Sequence, residues 1–129
     1  MRHAVAGYQL SRTKNERRRL LQGLARELIV RGSIRTTLAK AKAVQPMVEK
    51  LVTHARVGSA ESIKRVLSDW QSTRLLLSDA KTRFGTRTSG FTRIMKLGGR
   101  AGDSAEKALL QFVDPRVIAE IKPVEKKTK

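Results

Sequence analysis

The sequence predicts an α+β domain in two layers. Its order is α-β-α-α-α-β-β, with a small three-stranded sheet packed on helices. Three observations carry that prediction. Apolar residues recur at helical spacing in four separate stretches. A short β-branched run, Ser33 to Thr37, separates the first two. Two further extended segments flank a loop holding Gly98, Gly99 and Gly102.

The first helix is expected over residues 14–31. Thr13-Lys14-Asn15-Glu16 fits a capping box, in which hydroxyl and carboxylate each satisfy an orphan amide. Leu20, Leu21, Leu24, Ala25, Leu28 and Ile29 then form one apolar face, with Arg19, Gln22, Gly23 and Arg26 projecting opposite. Gly32 is the stop. Gly23 inside the helix costs about 1 kcal/mol against alanine.

Ser33–Thr37 reads as the first strand. Leu38, Ala41, Val44, Val48, Leu51, Val52 and Ala55 make the second helical stripe. Pro46 interrupts its hydrogen bonding but falls on the outer face with Lys42, Lys50 and Thr53, so one bent helix is expected rather than two. Gly58-Ser59 ends it, and Ser59 can cap a third helix with Ile63, Val66, Leu67 and Trp70 inward. Ser72 or Thr73 can cap a fourth, with Leu76, Leu77, Ala80 and Phe84 inward and Gly85 as its stop. Thr86 to Gly90 is a basic loop, and strands are expected over Phe91–Leu97 and Lys107–Val113. Residues 1–12 read as an extended basic arm, 13–114 as one globular domain, and 115–129 as a tail in which Val117, Ile118 and Ile121 allow a helical turn or two.

Composition restricts the function. The 129 residues include 28 Lys and Arg against 11 Asp and Glu, a formal net charge of +17. Such a surplus gathers polyanions. Cysteine is absent, which excludes a disulfide scaffold and a thiolate zinc site. The longest apolar runs are three residues, far short of the roughly 18 a membrane span needs. The first twenty residues lack the apolar stretch of a secretory signal, and Glu16 and Glu27 argue against a mitochondrial presequence.

The charge is unevenly placed. Residues 1–50 hold 12 basic and 3 acidic residues, 51–100 hold 10 and 3, and 101–129 hold 6 and 5. Two stretches are densest: Arg12, Lys14, Arg17, Arg18 and Arg19, and then Lys81, Arg83, Arg87, Arg93, Lys96 and Arg100. A single basic run is as easily a solvated face, but two runs plus the global excess favour nucleic acid.

No catalytic or metal-binding constellation appears. His3 and His54 are isolated, and His54 falls off the apolar stripe, as a surface residue does. Ser11-Arg12-Thr13-Lys14 and Ser104-Ala105-Glu106-Lys107 match a nucleophilic-serine pattern without its companion motifs. Gly98-Gly99-Arg100-Ala101-Gly102 lacks the ending of a phosphate loop and reads first as a hairpin turn, with a weaker reading as an RNA phosphate contact. No cofactor or small-molecule substrate is expected.

The cations are spread over an arm, a helix face, a strand and a hairpin. DNA readers concentrate contacts on one groove-seeking helix. Dispersed contacts suit a protein packed among several RNA segments. Of the five aromatics, Trp70 and Phe84 fall on core stripes, and Tyr8 is the one good candidate for base stacking, against the alternative that it packs on its own domain. A free architectural DNA- or RNA-binding protein is the alternative reading; an enzyme acting on RNA is remote.

Several blocks, in order, carry a family resemblance. They are Met1-Arg2-His3, Gly7, Leu10 and Arg12, Ile34-Arg35-Thr36-Thr37, and Lys40-Ala41-Lys42. Then come Gly90-Phe91-Thr92-Arg93-Ile94, Lys96-Leu97-Gly98, Arg100-Ala101-Gly102-Asp103 and Val113-Asp114. Over about residues 1–114 the chain closely resembles the bacterial large-ribosomal-subunit protein L-seventeen family. That resemblance implies a cytoplasmic structural protein of the large subunit, a monomer within the ribosome. It implies contact with 23S rRNA near the outer side of the peptide exit tunnel, among neighbouring ribosomal proteins and without a membrane partner. The family fold has the element order already read. Family-like RNA contacts carry over to Arg2, His3, Arg12, Arg35, Thr36, Thr37, Lys40, Lys42, Arg93, Lys96 and Arg100. The charge runs add Lys14, Arg17, Arg18, Arg19 and Arg87. Four residues depart from the family pattern: Ala4 and Val5 where basic residues are usual, Glu16 in place of a common histidine, and Pro46 inside a helix.

Overall fold

The protein is described here by a computed structural model covering His3 and residues 7–116. The elements are α1 (Lys14–Arg31), β1 (Ser33–Thr37), α2 (Leu38–Val57), α3 (Ala60–Leu67), α4 (Trp70–Thr82), β2 (Thr92–Gly99) and β3 (Glu106–Phe112). That is the expected α-β-α-α-α-β-β order. β3 lies between β1 and β2, antiparallel to both. Arg2, Ala4, Val5, Val117, Ile118 and Ile121, singled out in the sequence, lie outside the described residues.

Local chemistry sets α1 as expected. The Thr13 amide donates to Glu16 Oε2 at 2.9 Å, and the Glu16 amide donates back to Thr13 Oγ1 at 3.4 Å. Gly32 closes the helix in the left-handed region (φ 80°), its amide donating to the Leu28 carbonyl at 2.7 Å. Gln22 and Arg26 correct the expectation that they project away from the fold. Gln22 Nε2 donates to the Val66 carbonyl and Arg26 Nε to the Leu67 carbonyl, each at 2.7 Å. The last carbonyls of α3 have no helical partner, and these two side chains supply donors from the flank of α1.

α2 runs unbroken through Pro46, which is exposed. Its stripe from Leu38 to Ala55 is buried in full, the central beam of the core. Trp70 is the main departure within the helices. Ser68 turns left-handed (φ 54°) and ends α3, and Asp69 caps α4 by accepting from the Ser72 amide at 2.8 Å. Asp69 is therefore the cap in place of Ser72 or Thr73. That break resets the helical phase, so Trp70 opens α4 and is 58% exposed instead of completing the α3 stripe. The Ser72 hydroxyl, followed by its amide, holds the Asp69 carboxyl below its usual range. α4 stops at Thr82, before Gly85, while Phe84 is buried as expected.

The glycine-rich segment also differs. Gly98 and Gly99 belong to β2, paired with Lys107 and Glu106, and a bulge at Leu97 interrupts the register. Gly98 adopts φ 88°, which fits the bulge and disfavours any side chain there. The turn proper is Arg100–Ala105.

One sheet face carries Ala108, Leu110 and Phe112 of β3 into the core, where they meet the stripe of α2. Phe84 joins Phe91 edge-on at 5.6 Å and Phe112 at 5.1 Å, closing the end of the core. Glu49 of α2 fastens the start of β2: its carboxylate accepts from the Phe91 amide at 3.2 Å and the Thr92 amide at 2.9 Å.

Candidate nucleic-acid interface

The cations fall into two groups. Arg83, Arg87, Arg100, Arg116 and Arg31 are each held by a carboxylate. Arg83, which the charge pattern places in the polyanion surface, is instead an internal residue: its side chain is only 5% exposed. It pairs with Asp79 at 3.2 Å, donates through Nε to the Asp114 carbonyl at 2.6 Å, and lies over the Phe84 and Phe112 rings. Burial pushes its guanidinium below the ordinary arginine value, and Asp79 opposes that shift. Arg116 reaches the same carboxylate at 2.6 Å and donates to the Ile29 carbonyl at the end of α1. Arg87 pairs with Asp114 at 2.9 Å. At the hairpin tip Arg100 Nε donates to Asp103 Oδ1 at 3.0 Å. That contact, with the Ala105 amide, holds Asp103 well below the usual carboxylate range and raises Arg100 in turn. Arg87 and Arg100 therefore bring little net charge to the surface.

The second group makes no ion pair among the described residues; besides Arg26, Lys50, Arg56, Lys64, Arg65, Arg74 and Lys81 on the helices, it holds most of the expected RNA contacts and Lys107. These last are Arg12, Lys14, Arg17, Arg18, Arg19, Arg35, Lys40, Lys42, Arg93, Lys96 and Lys107. They occupy three places. Arg12 to Arg19 lie at the start of α1, where Arg12 also donates to the Leu10 carbonyl at 3.1 Å. Arg17–Arg19 stand roughly 20 Å along the helix from Arg31, so this cluster is separate from the sheet.

The second place is the hairpin end of the sheet, where Thr37 pairs with Lys107 and α2 begins. Tyr8, Thr37, Leu38, Ala39, Lys42, Ala105 and Glu106 line a cleft of about 340 Å³ there. Tyr8 is 44% exposed, half packed on its own domain. Thr37 makes no side-chain cap, and the first turn of α2 holds no acid. Each other helix has a side-chain cap, a first-turn acid, or both. Lys40 and Lys42 thus stand near the positive end of a helix dipole, an arrangement that costs about 0.3–1 kcal/mol unless an anion is present. His3 is exposed.

The third place is the sheet face turned away from the helices. Register puts Arg35, Lys107 and Arg93 on it, while Thr36, opposite Ala108, points to the covered side. Gln111 is beside Arg93 and, with its amide turned, accepts from Arg93 Nε at 2.6 Å. Lys96 pairs with Ala108 at the uncovered end of β2 and is exposed. Sequence reasoning missed Lys107 and Arg116. The alternation Lys107, Leu109, Gln111 was a legible signal for the first; the second depends on a long-range contact with Asp79 that no local pattern shows.

Among the described residues no cluster of three or more His, Cys, Asp or Glu is placed to hold a metal, and no helix is long and apolar enough to cross a membrane. A family model described as ribosomal protein L17 matches residues 20–113. The large ribosomal subunit protein bL17 of Solibacter usitatus is 43% identical over 121 residues, covering 92% of this chain and 81% of the relative. That of Thermodesulfovibrio yellowstonii is 43% identical over 117 residues, covering 88% of each. That of Gemmatimonas aurantiaca is 41% identical over 116 residues, covering 88% of this chain and 98% of the relative.

Proposed function

The chain belongs to the ribosomal protein L17 family, structural proteins of the large ribosomal subunit, and from that premise we propose that it binds 23S rRNA near the outer side of the peptide exit tunnel. The observation that carries this reading is the set of surface cations with no described carboxylate beside them. Cations left unpaired on a +17 chain repel one another until phosphates arrive. Their mechanism is neutralisation and bridging: each phosphate contact releases condensed counterions, and contacts on separate faces tie separate RNA segments together.

Arg12, Lys14, Arg17, Arg18 and Arg19 grip one segment from the start of α1. Thr37, Lys40, Lys42 and Lys96 grip a second at the hairpin end, where the uncapped start of α2 supplies amide donors for a phosphate. Arg35 and Arg93 lie on the sheet. Arg87 and Arg100 contribute less, because Asp114 and Asp103 already face them. Arg2 and His3 complete the proposed contacts; Thr36, turned to the covered side of the sheet, is not among them. The partners are 23S rRNA and neighbouring large-subunit proteins, the location is the cytoplasm, and the role is architectural, not catalytic. Ultraviolet cross-linking in living cells, with sequencing of the attached nucleic acid, tests this. Segments of 23S rRNA near the tunnel exit are expected; recovery of DNA or messenger RNA in their place refutes it.

A further inference from the structure

The helices cover one face of the three-stranded sheet, and no described element covers the other. Register assigns that open face residue by residue. One rung is Ser33–Gln111–Arg93 and the next is Arg35–Leu109–Met95; Thr37–Lys107 follows, beside the bulged Leu97. Register therefore gives the face three cations and no acid from the strands themselves, while Glu27 of α1, paired with Arg31, stands at its Arg35 edge. Its middle rung holds Leu109 and Met95, the latter 40% exposed, and the bulged Leu97 nearby is 42% exposed. It has no aromatic, since Phe91 and Phe112 are both buried.

From this geometry we infer that the open sheet face seats the sugar–phosphate backbone of double-stranded RNA. The inference rests on the rRNA-binding reading and adds to it a site that includes Lys107, at the hairpin end of the central strand. The sheet lattice, with strands about 4.8 Å apart and same-face neighbours about 6.8 Å apart, spreads Arg93, Arg35 and Lys107 over roughly 8–14 Å. Cations so spaced do not converge on one small anion; they follow an extended one. Single-strand readers stack bases on aromatic platforms, and this face offers none. Duplex RNA presents phosphates and 2′-hydroxyls over a wide, shallow groove, read by shape and backbone. Arg93, steadied by Gln111, Arg35 and Lys107 meet phosphates, while Met95, Leu97 and Leu109 pack against riboses.

The test compares the full chain, an Arg35→Ala/Arg93→Ala/Lys107→Ala variant, and a Lys40→Ala/Lys42→Ala variant. Each is titrated by fluorescence anisotropy with a mixed-sequence 20-base-pair RNA duplex and with a 20-nucleotide uridine tract, from 50 to 200 mM salt. Three lost phosphate contacts flatten the log–log salt slope by about 2.7, so the parent chain loses roughly forty-fold more duplex affinity over that range than the triple variant. Peroxide oxidation of Met95 is expected to slow when duplex is added. A triple variant with the parent slope, beside a flattened Lys40/Lys42 variant, overturns the sheet site and leaves rRNA binding standing. If neither slope changes, both readings fall. Equal affinity for the uridine tract overturns duplex selection. Met95 already shielded in the free protein means that the chain itself, a second copy or an acidic protein segment owns the face, and that too overturns the inference.

Discussion

Asp79 holds two guanidinium groups, and one of them, Arg83, has almost no access to water. Removing one partner of a buried pair costs about 3–5 kcal/mol, because the other charge is left uncompensated. Asp79→Ala is therefore expected to lower unfolding stability by about 3 kcal/mol in urea denaturation. Adding Arg83→Met to that variant should restore much of the loss, since Arg116 is 32% exposed and can turn to water. A loss under about 1 kcal/mol for Asp79→Ala contradicts the assignment. Here sequence reading was blind. Arg83 looked like one more member of an acid-free run because its partners come from elsewhere: Asp79 one helical turn back, the Asp114 carbonyl and two aromatic rings. Thr13 and Glu16 were legible for the opposite reason, since a capping box is complete within four residues. Glu16 thus has a structural use in α1, with the Thr13 amide, and after it the hydroxyl, holding the carboxyl below its usual range.

At the scale of elements, two glycines give opposite expectations. A Cβ at Gly23 meets nothing within 4 Å, and its backbone is helical, so Gly23→Ala should raise stability by about 1 kcal/mol. A Cβ at Gly98 also meets nothing, but the positive φ of the bulge remains, and Gly98→Ala should lower stability by about 1–2 kcal/mol. Denaturation midpoints of the two variants check both signs, and equal signs contradict the backbone explanation. Element order and the bounds of α1 and β1 were readable from periodicity and stop residues, because one buried face imposes its repeat on the sequence. The end of α3 was not: Ser68 in the left-handed region leaves no glycine signal, so the stripe seemed to run on into Trp70. In the sequence Gly98 and Gly99 read as loop, because glycine marks turns and bulges alike. Which cations share the open face became visible only with the register, since one residue of slip exchanges Arg35 and Thr36 between faces.

For the whole molecule, charge is the organising quantity. A +17 chain of this length works against its own compaction, and the core of α2, the sheet and three further helices holds against that repulsion. Some of the surplus is not available to a partner: Arg83 is internal, and Arg87 and Arg100 face carboxylates. The expected RNA contacts that remain lie on three separate surfaces, which suits bridging between RNA segments better than reading one groove. Sequence composition pointed to a polyanion, and the ordered motif blocks to a ribosomal one; the division into surfaces required the fold. The most direct measurement is sucrose-gradient fractionation of cells carrying a tagged copy, with the tag and 23S rRNA followed through the gradient. The tagged chain is expected to travel with the large-subunit peak and its 23S rRNA at physiological salt. A chain found free at the top of the gradient, or with the nucleoid, contradicts the ribosomal role.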